Sequence, residues 1–147
     1  SSAASDVYKR QEYTDKIERF IKENKLEERV HIISNVPFDD LPAFYQLAEI
    51  FVYPSRFEGF GIPIIEALYS DIPVVAATGS CLEEAGGPDS IYVHPDDIKG
   101  MANAFKQIYS DTERKKEMIE KGQKFAKRFS EEKQAEEILN IYKKLMK

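Results

Sequence analysis

At 147 residues, 42% hydrophobic and 32% charged, the chain has enough apolar material for one domain with a real core. A formal net charge of −5, with no basic patch interleaved with aromatics, excludes nucleic acid as the partner, and no stretch reads as a membrane span or a signal peptide. A single cysteine, Cys81, excludes an internal disulfide and fits a reducing cytoplasm, while two histidines, His31 and His94, are too few and too far from it to suggest a zinc site or a thiol nucleophile.

Residues 1–11 resemble an in-frame translation of the transposon-end adapter used in sequencing libraries, and the other reading is a disordered polar tail. The domain is therefore expected over 12–147, from a reading frame cut at its 5′ end. A helix is predicted over about 13–24, with Ile17, Phe20 and Ile21 on one face, and a first strand over 29–34. Asp39 or Asp40 can cap the next helix, which carries Leu41, Phe44, Tyr45 and Leu47. The apolar run Ile50-Phe51-Val52-Tyr53 suits a strand covered on both faces, as in a parallel sheet, and Pro54 ends it.

A third strand follows over 73–77, then a turn into a short helical piece over 82–85, closed by Gly86-Gly87-Pro88. A brief fourth strand spans 91–93. Beyond it only helices are predicted, over about 97–109, 112–129 and 130–146, the last with an apolar stripe of Ile138, Ile141, Tyr142 and Leu145. That stripe is better explained by packing than by membrane contact. The charged runs 114–117 and 131–133 read as solvated helix faces. Alternating strands and helices give an α/β fold: a Rossmann-like, doubly wound parallel sheet of about four strands with C-terminal helices.

Chemistry shows through between the second strand and its helix, in Glu58-Gly59-Phe60-Gly61-Ile62-Pro63-Ile64-Ile65-Glu66. The spacing of the two glutamates is weak by itself, since 17 glutamates in 147 residues give about two such pairs by chance, and a motif needs its structural context. Here the pair flanks a glycine turn at the carboxyl end of a strand and the amino end of a helix, where open α/β sheets bind ligands. Gly59 and Gly61 permit a tight turn and close ligand approach, and free amides near Gly61, Ile62 and Ile64 offer a positive helix end to an anionic oxygen. Ionised Glu58 and Glu66 repel phosphate but accept hydrogen bonds from hydroxyls. A nucleotide sugar, carrying both phosphate and vicinal hydroxyls, satisfies all of these groups together. Ile62, Ile65 and Tyr69 are expected on one face of the helix with Ile64 and Leu68 beside them, so that the helix packs against the sheet, and Glu66 falls on the same apolar stripe. Arg56 reads as a phosphate ligand, a surface residue or a partner of Glu58, and Phe60 as a packing residue that shapes the turn.

Pro54-Ser55 followed by Glu58 to Leu68 resembles the E-x7-E signature of the retaining GT-B glycosyltransferases of family 4, often called group 1. Pro73 to Ala76 is similar to that family's next strand, Leu82 to Gly87 to its following turn, and Phe129-Ser130 to the start of its last helix. Two positions depart: Ser34 stands where a glycine is usual, and Glu131 where a tryptophan is common.

The resemblance implies a donor-binding domain of an enzyme that transfers a sugar from a nucleotide-sugar donor, such as a UDP- or GDP-sugar, with retention of configuration, as in polysaccharide biosynthesis. It implies that Glu66 holds the ribose hydroxyls, that Glu58 contacts the transferred sugar and is the catalytic residue, and that the amides of Phe60, Gly61 and Ile62 meet sugar hydroxyls or the leaving diphosphate. Backbone near Asn35 and Val36 would meet the base. No metal is obligatory in that scheme and no other cofactor is expected. A carbohydrate or lipid-linked acceptor would bind a separate N-terminal domain missing from this chain, which would be inactive alone, in the cytoplasm or at the cytoplasmic membrane face. In the strand order 3-2-1-4-5-6 the strand at 29–34 would be third and that at 50–53 fourth, so the first either collapses onto the second or stays at an exposed edge. A non-catalytic nucleotide-binding module and a receiver-type interaction domain remain open.

Overall fold

A computed structural model describes residues 2–146, which divide into two compact units, one up to Pro37 and the other from Phe38 onward. The first contains helix α1 (Ser2–Glu23). The helix stops because Lys25 takes a left-handed conformation (φ 53°), with Lys25 N–H donating to Lys22 O at 3.2 Å and Leu26 N–H to Ile21 O at 2.9 Å. This pair of bonds satisfies two of the helix's last carbonyls, and the Asn24 side chain donates to a third, Phe20 O, at 2.8 Å.

No strand forms over 29–34, contrary to the expectation from its apolar content. Strand preference in such a segment is a preference for fitting a pleated, half-buried surface. Here Val30, Ile32 and Ile33 are exposed, so neither a ladder nor a covered face holds the segment extended as a strand.

The second unit opens with a 3-10 turn (Phe38–Asp40) and α2 (Leu41–Leu47). Asp40 precedes α2 but makes no capping bond, because its backbone (φ −89°, ψ −15°) already continues the turn instead of lying in the extended region that a capping residue uses. Then follow β1 (Phe51–Tyr53), α3 (Ile62–Tyr69), β2 (Val74–Ala77), α4 (Leu82–Gly86) and β3 (Ile91–Val93). The chain continues as α5 (Ile98–Ser110), α6 (Thr112–Ala126), a 3-10 turn (Lys127–Phe129) and α7 (Glu131–Leu145). Side chains cap the later helices: Asp97 accepts from Gly100 N–H and Asp111 from Arg114 N–H, each at 2.8 Å, and Ser130 from Lys133 N–H at 3.3 Å.

The sheet is parallel, in the order β1-β2-β3, with Phe51 opposite Val74 and Val75 opposite Ile91. It has three strands, not about four, because 29–34 supplies none. All four residues of β2 are buried. Val74 and Ala76 pack with Ile64, Leu68, Leu82 and Ala126, while Val75 packs with Ala104, Ile108 and Met118. Val75 thus enters a different core from its neighbours Val74 and Ala76, as expected of a parallel sheet covered on both faces. The α/β class read from the sequence is the class observed.

Two apolar faces differ from expectation. On α3 Ile64 and Leu68 are buried as expected, with Ala67, and Ile65 is half-buried against the core, whereas Ile62 is 63% and Tyr69 45% exposed. On α7 no residue is buried, and its stripe of Ile138, Ile141, Tyr142 and Leu145 is exposed instead of packed.

Leu68, 2% exposed beneath α6, fills the space that lets Gly122 approach, where a Cβ would meet Leu68 Cδ2 at 2.7 Å. Leu68→Ala is expected to cost about 3 kcal/mol through lost burial and a cavity, read as a lower urea midpoint at unchanged slope.

Candidate functional site

The strands run parallel, so the loops after β1, β2 and β3 share one end of the sheet. Two contacts join them. Cys81 Sγ–H, at the start of α4, donates to the carbonyl of Glu58 at 3.2 Å. Arg56 forms a two-pronged pair with Asp96 after β3, one arm at 3.2 Å (Nη1 to Oδ2) and the other between Nη2 and Oδ1. Arg56 is an exposed surface residue, and the ion pair it shows is with Asp96. The guanidinium holds the Asp96 carboxyl below its usual range. Glu83 accepts from Thr78 Oγ1–H and, at 3.3 Å, from Gly79 N–H, which fastens the turn after β2 and lowers the Glu83 carboxyl.

The chain turns from β1 into α3 at Gly61, whose φ of 104° strains any residue with a side chain. A Cβ there would meet Leu82 Cδ2 at 2.9 Å and Ala85 Cβ at 3.2 Å, so the turn also depends on α4 pressing against it. Gly59 differs: a Cβ there would meet nothing within 4 Å, leaving its backbone open to approach. Phe60 is a packing residue, edge-on to Phe129 with ring centres 5.5 Å apart. Pro63 lies in the first turn of α3, as expected, but the amide of Ile64 is not free, since it donates to Gly61 O at 2.9 Å. The helix end therefore offers at most the amides of Gly61 and Ile62, because Pro63 has none.

Both glutamates are half-buried, and each accepts from a tyrosine. Tyr53 Oη–H at the end of β1 donates to Glu58 Oε1 at 2.8 Å, and Tyr45 Oη–H on α2 to Glu66 Oε2 at 2.9 Å. Glu66 is the one carboxylate in the wall of a pocket of about 250 Å³ otherwise formed by Phe38, Leu41, Pro42, Tyr45, Tyr69 and Ser70. Burial, then the Glu66 hydrogen bond, push the Tyr45 phenol up, and burial with the Glu58 bond pushes Tyr53 up to about 12. Asn35, exposed and left-handed (φ 59°), and Val36, half-buried, belong to the first unit. Among the described residues no group of three or more His, Cys, Asp or Glu is gathered to hold a metal ion.

Tyr45, Tyr53, Cys81 and Asp96 are not legible as site residues in the sequence. Tyr45 reads as part of an apolar helix face and lies 21 positions from Glu66. Only Tyr53, five residues before Glu58, carries a local signal, a polar tip ending an apolar strand.

Gly61→Ala is expected to destabilise the protein by about 2 kcal/mol or more, and Gly59→Ala to stay within about 0.5 kcal/mol, compared by urea unfolding. Tyr53 has a folded pKa above its unfolded value of about 10, so as pH rises the unfolded chain releases that proton first. The stabilisation is whole below about pH 10 and lost between about 10 and 12. Tyr53→Phe should flatten that loss in unfolding free energy measured across the alkaline range.

The sequence model of the family described as "Glycosyl transferases group 1" matches residues 10–125. O-antigen chain mannosyltransferase B of Escherichia coli is 34% identical over 79% of this chain and 30% of its own length. O-antigen chain mannosyltransferase RfbU of Salmonella typhimurium is 35% identical over 67% of this chain and 28% of its own length. The chain thus spans about a third of these relatives or less. Among solved structures, sucrose-phosphate synthase from Thermosynechococcus elongatus superposes with a TM-score of 0.77 at 27% identity, over 90% of this chain and 34% of that one. Anabaena HepE, solved in complex with UDP, gives 0.81 at 23% identity over 91% and 37%, a likeness of fold alone.

Proposed function

This chain belongs to the glycosyl transferases group 1 family, and we propose from that premise that its second unit holds the nucleotide-sugar donor of a retaining sugar transferase. One observation carries the reading: the two glutamates stand half-buried around the Gly61 turn at the carboxyl end of β1, with Glu66 the single carboxylate in an otherwise largely apolar pocket. A carboxylate so placed repels phosphate but accepts from a ribose diol, while the surrounding rings and Pro42 cover apolar surface of the nucleoside. Glu66 takes the ribose hydroxyls, and Glu58 addresses the transferred sugar. The amides of Phe60, Gly61 and Ile62, beside the open backbone of Gly59, meet sugar hydroxyls or the departing diphosphate.

Catalysis would then rest on orienting the donor and stabilising the charge of the leaving diphosphate, with the acceptor attacking on the face from which the phosphate departs. The two glutamates are not a glycosidase pair, since that chemistry places both carboxyls on one scissile bond. The mannosyltransferase names of the relatives support a hexose as the transferred group, and the acceptor proposed with it is a carbohydrate or a lipid-linked one. That acceptor would be bound outside these residues, leaving this portion inactive by itself. No described helix is long and apolar enough to cross a membrane.

Glu66→Gln is expected to weaken UDP or GDP binding by about tenfold or more, the scale of a hydrogen bond to a charged group. It should also abolish any preference for the ribonucleotide over its 2′-deoxy form in calorimetric titration. Glu58→Gln should leave nucleotide binding within about twofold but reduce the transfer rate by about 100-fold. Unchanged ribonucleotide binding in Glu66→Gln would sink the ribose assignment.

A further inference from the structure

Each carboxylate of the pair is held by a phenol from a different element, and the two phenols are joined. The Phe51 ring stands 5.4 Å from that of Tyr45 and 5.8 Å from that of Tyr53, lying within 17° of parallel to the latter. Tyr45, Phe51 and Tyr53 thus form one row of rings whose outer hydroxyls grip Glu66 Oε2 at 2.9 Å and Glu58 Oε1 at 2.8 Å. We propose that Tyr45 and Tyr53 are positioning residues of the donor site, and that Phe51 links them into one unit fixing the separation and aim of the two carboxylates. This inference rests on the donor-site reading above.

A neutral donor suits such a site better than a cation. An arginine or lysine would ion-pair with the carboxylate and compete with incoming hydroxyls, whereas a phenol occupies one oxygen and leaves the charge and the other oxygen for the ligand. The nearest arginine in sequence, Arg56, is turned to Asp96. The hydrogen bond also removes rotamer freedom from a flexible side chain before ligand binding, so less ordering remains to be done on association. A phenol is already protonated at neutral pH, and burial with the glutamate bonds shifts both further from ionisation.

The test titrates the protein and its Tyr45→Phe, Tyr53→Phe and Phe51→Leu variants with UDP and GDP and with their 2′-deoxy forms, alongside Glu66→Gln. Transfer kinetics of the full-length protein and melting temperatures accompany each titration. Tyr45→Phe should weaken the ribonucleotide by about five- to tenfold and the 2′-deoxy form by much less, with no further loss of preference when combined with Glu66→Gln. Tyr53→Phe should keep nucleotide binding within about twofold while lowering kcat by about tenfold at unchanged KM. Phe51→Leu should show both effects in weaker form. If Glu66→Gln loses the ribose preference while Tyr45→Phe retains it, the positioning role is overturned and the donor reading stands. A lowered melting temperature with intact preference in Tyr45→Phe overturns it equally, since Tyr45 would then be merely structural. If Glu66→Gln itself leaves the preference untouched, the donor reading fails, and the positioning role with it.

Discussion

The second unit depends on β2, a strand of four small or β-branched residues buried on both faces. Val74 and Ala76 bind the sheet to α3, α4 and α6, Val75 binds it to α5 and α6, and the backbone pairs with β1 on one side and β3 on the other. Small side chains let helices approach closely from both directions, and parallel pairing aligns all three carboxyl ends. Without that alignment the loops after β1, β2 and β3 would have no reason to meet, and the Arg56–Asp96 and Cys81–Glu58 contacts would not exist.

Gly61 converts this frame into a site. Its left-handed turn, pressed on by Leu82 and Ala85, swings the chain from β1 into α3 so tightly that Glu58 and Glu66 bracket a single bend. The electrostatics divide accordingly. Charge meets charge in the Arg56–Asp96 pair, whereas each glutamate accepts from a neutral phenol. A cation beside either glutamate would consume the acceptor capacity that a hydroxyl-bearing ligand requires.

Much of this is legible locally. The run at 50–53 and the glycine turn place the motif correctly between strand and helix, and the segments at 73–77, 82–85 and 91–93 stand out because Gly and Pro punctuate them. The segment at 29–34 misleads because its residue types report a preference for a covered sheet, which the structure does not supply there. The face of α3 is only partly legible: Ile64, Ile65 and Leu68 pack as expected, but periodicity does not say where the buried stripe ends, and Ile62 and Tyr69 fall outside it while Ala67 falls within. The α7 stripe points to packing for the same reason, yet it is exposed.

By itself the sequence determined the α/β class, the order of elements from Phe38 onward, and the placing of two glutamates at the carboxyl end of a buried strand. Those features follow from hydrophobic period and from the backbone freedom of Gly and Pro, which act over a few residues. Tertiary structure decided where the buried face of α3 ends, that the Ile64 amide is spent on Gly61, and which phenols hold the glutamates. Tyr45 and Glu66 are 21 residues apart on different helices, and only the packing of α2 and α3 in the folded unit makes them neighbours.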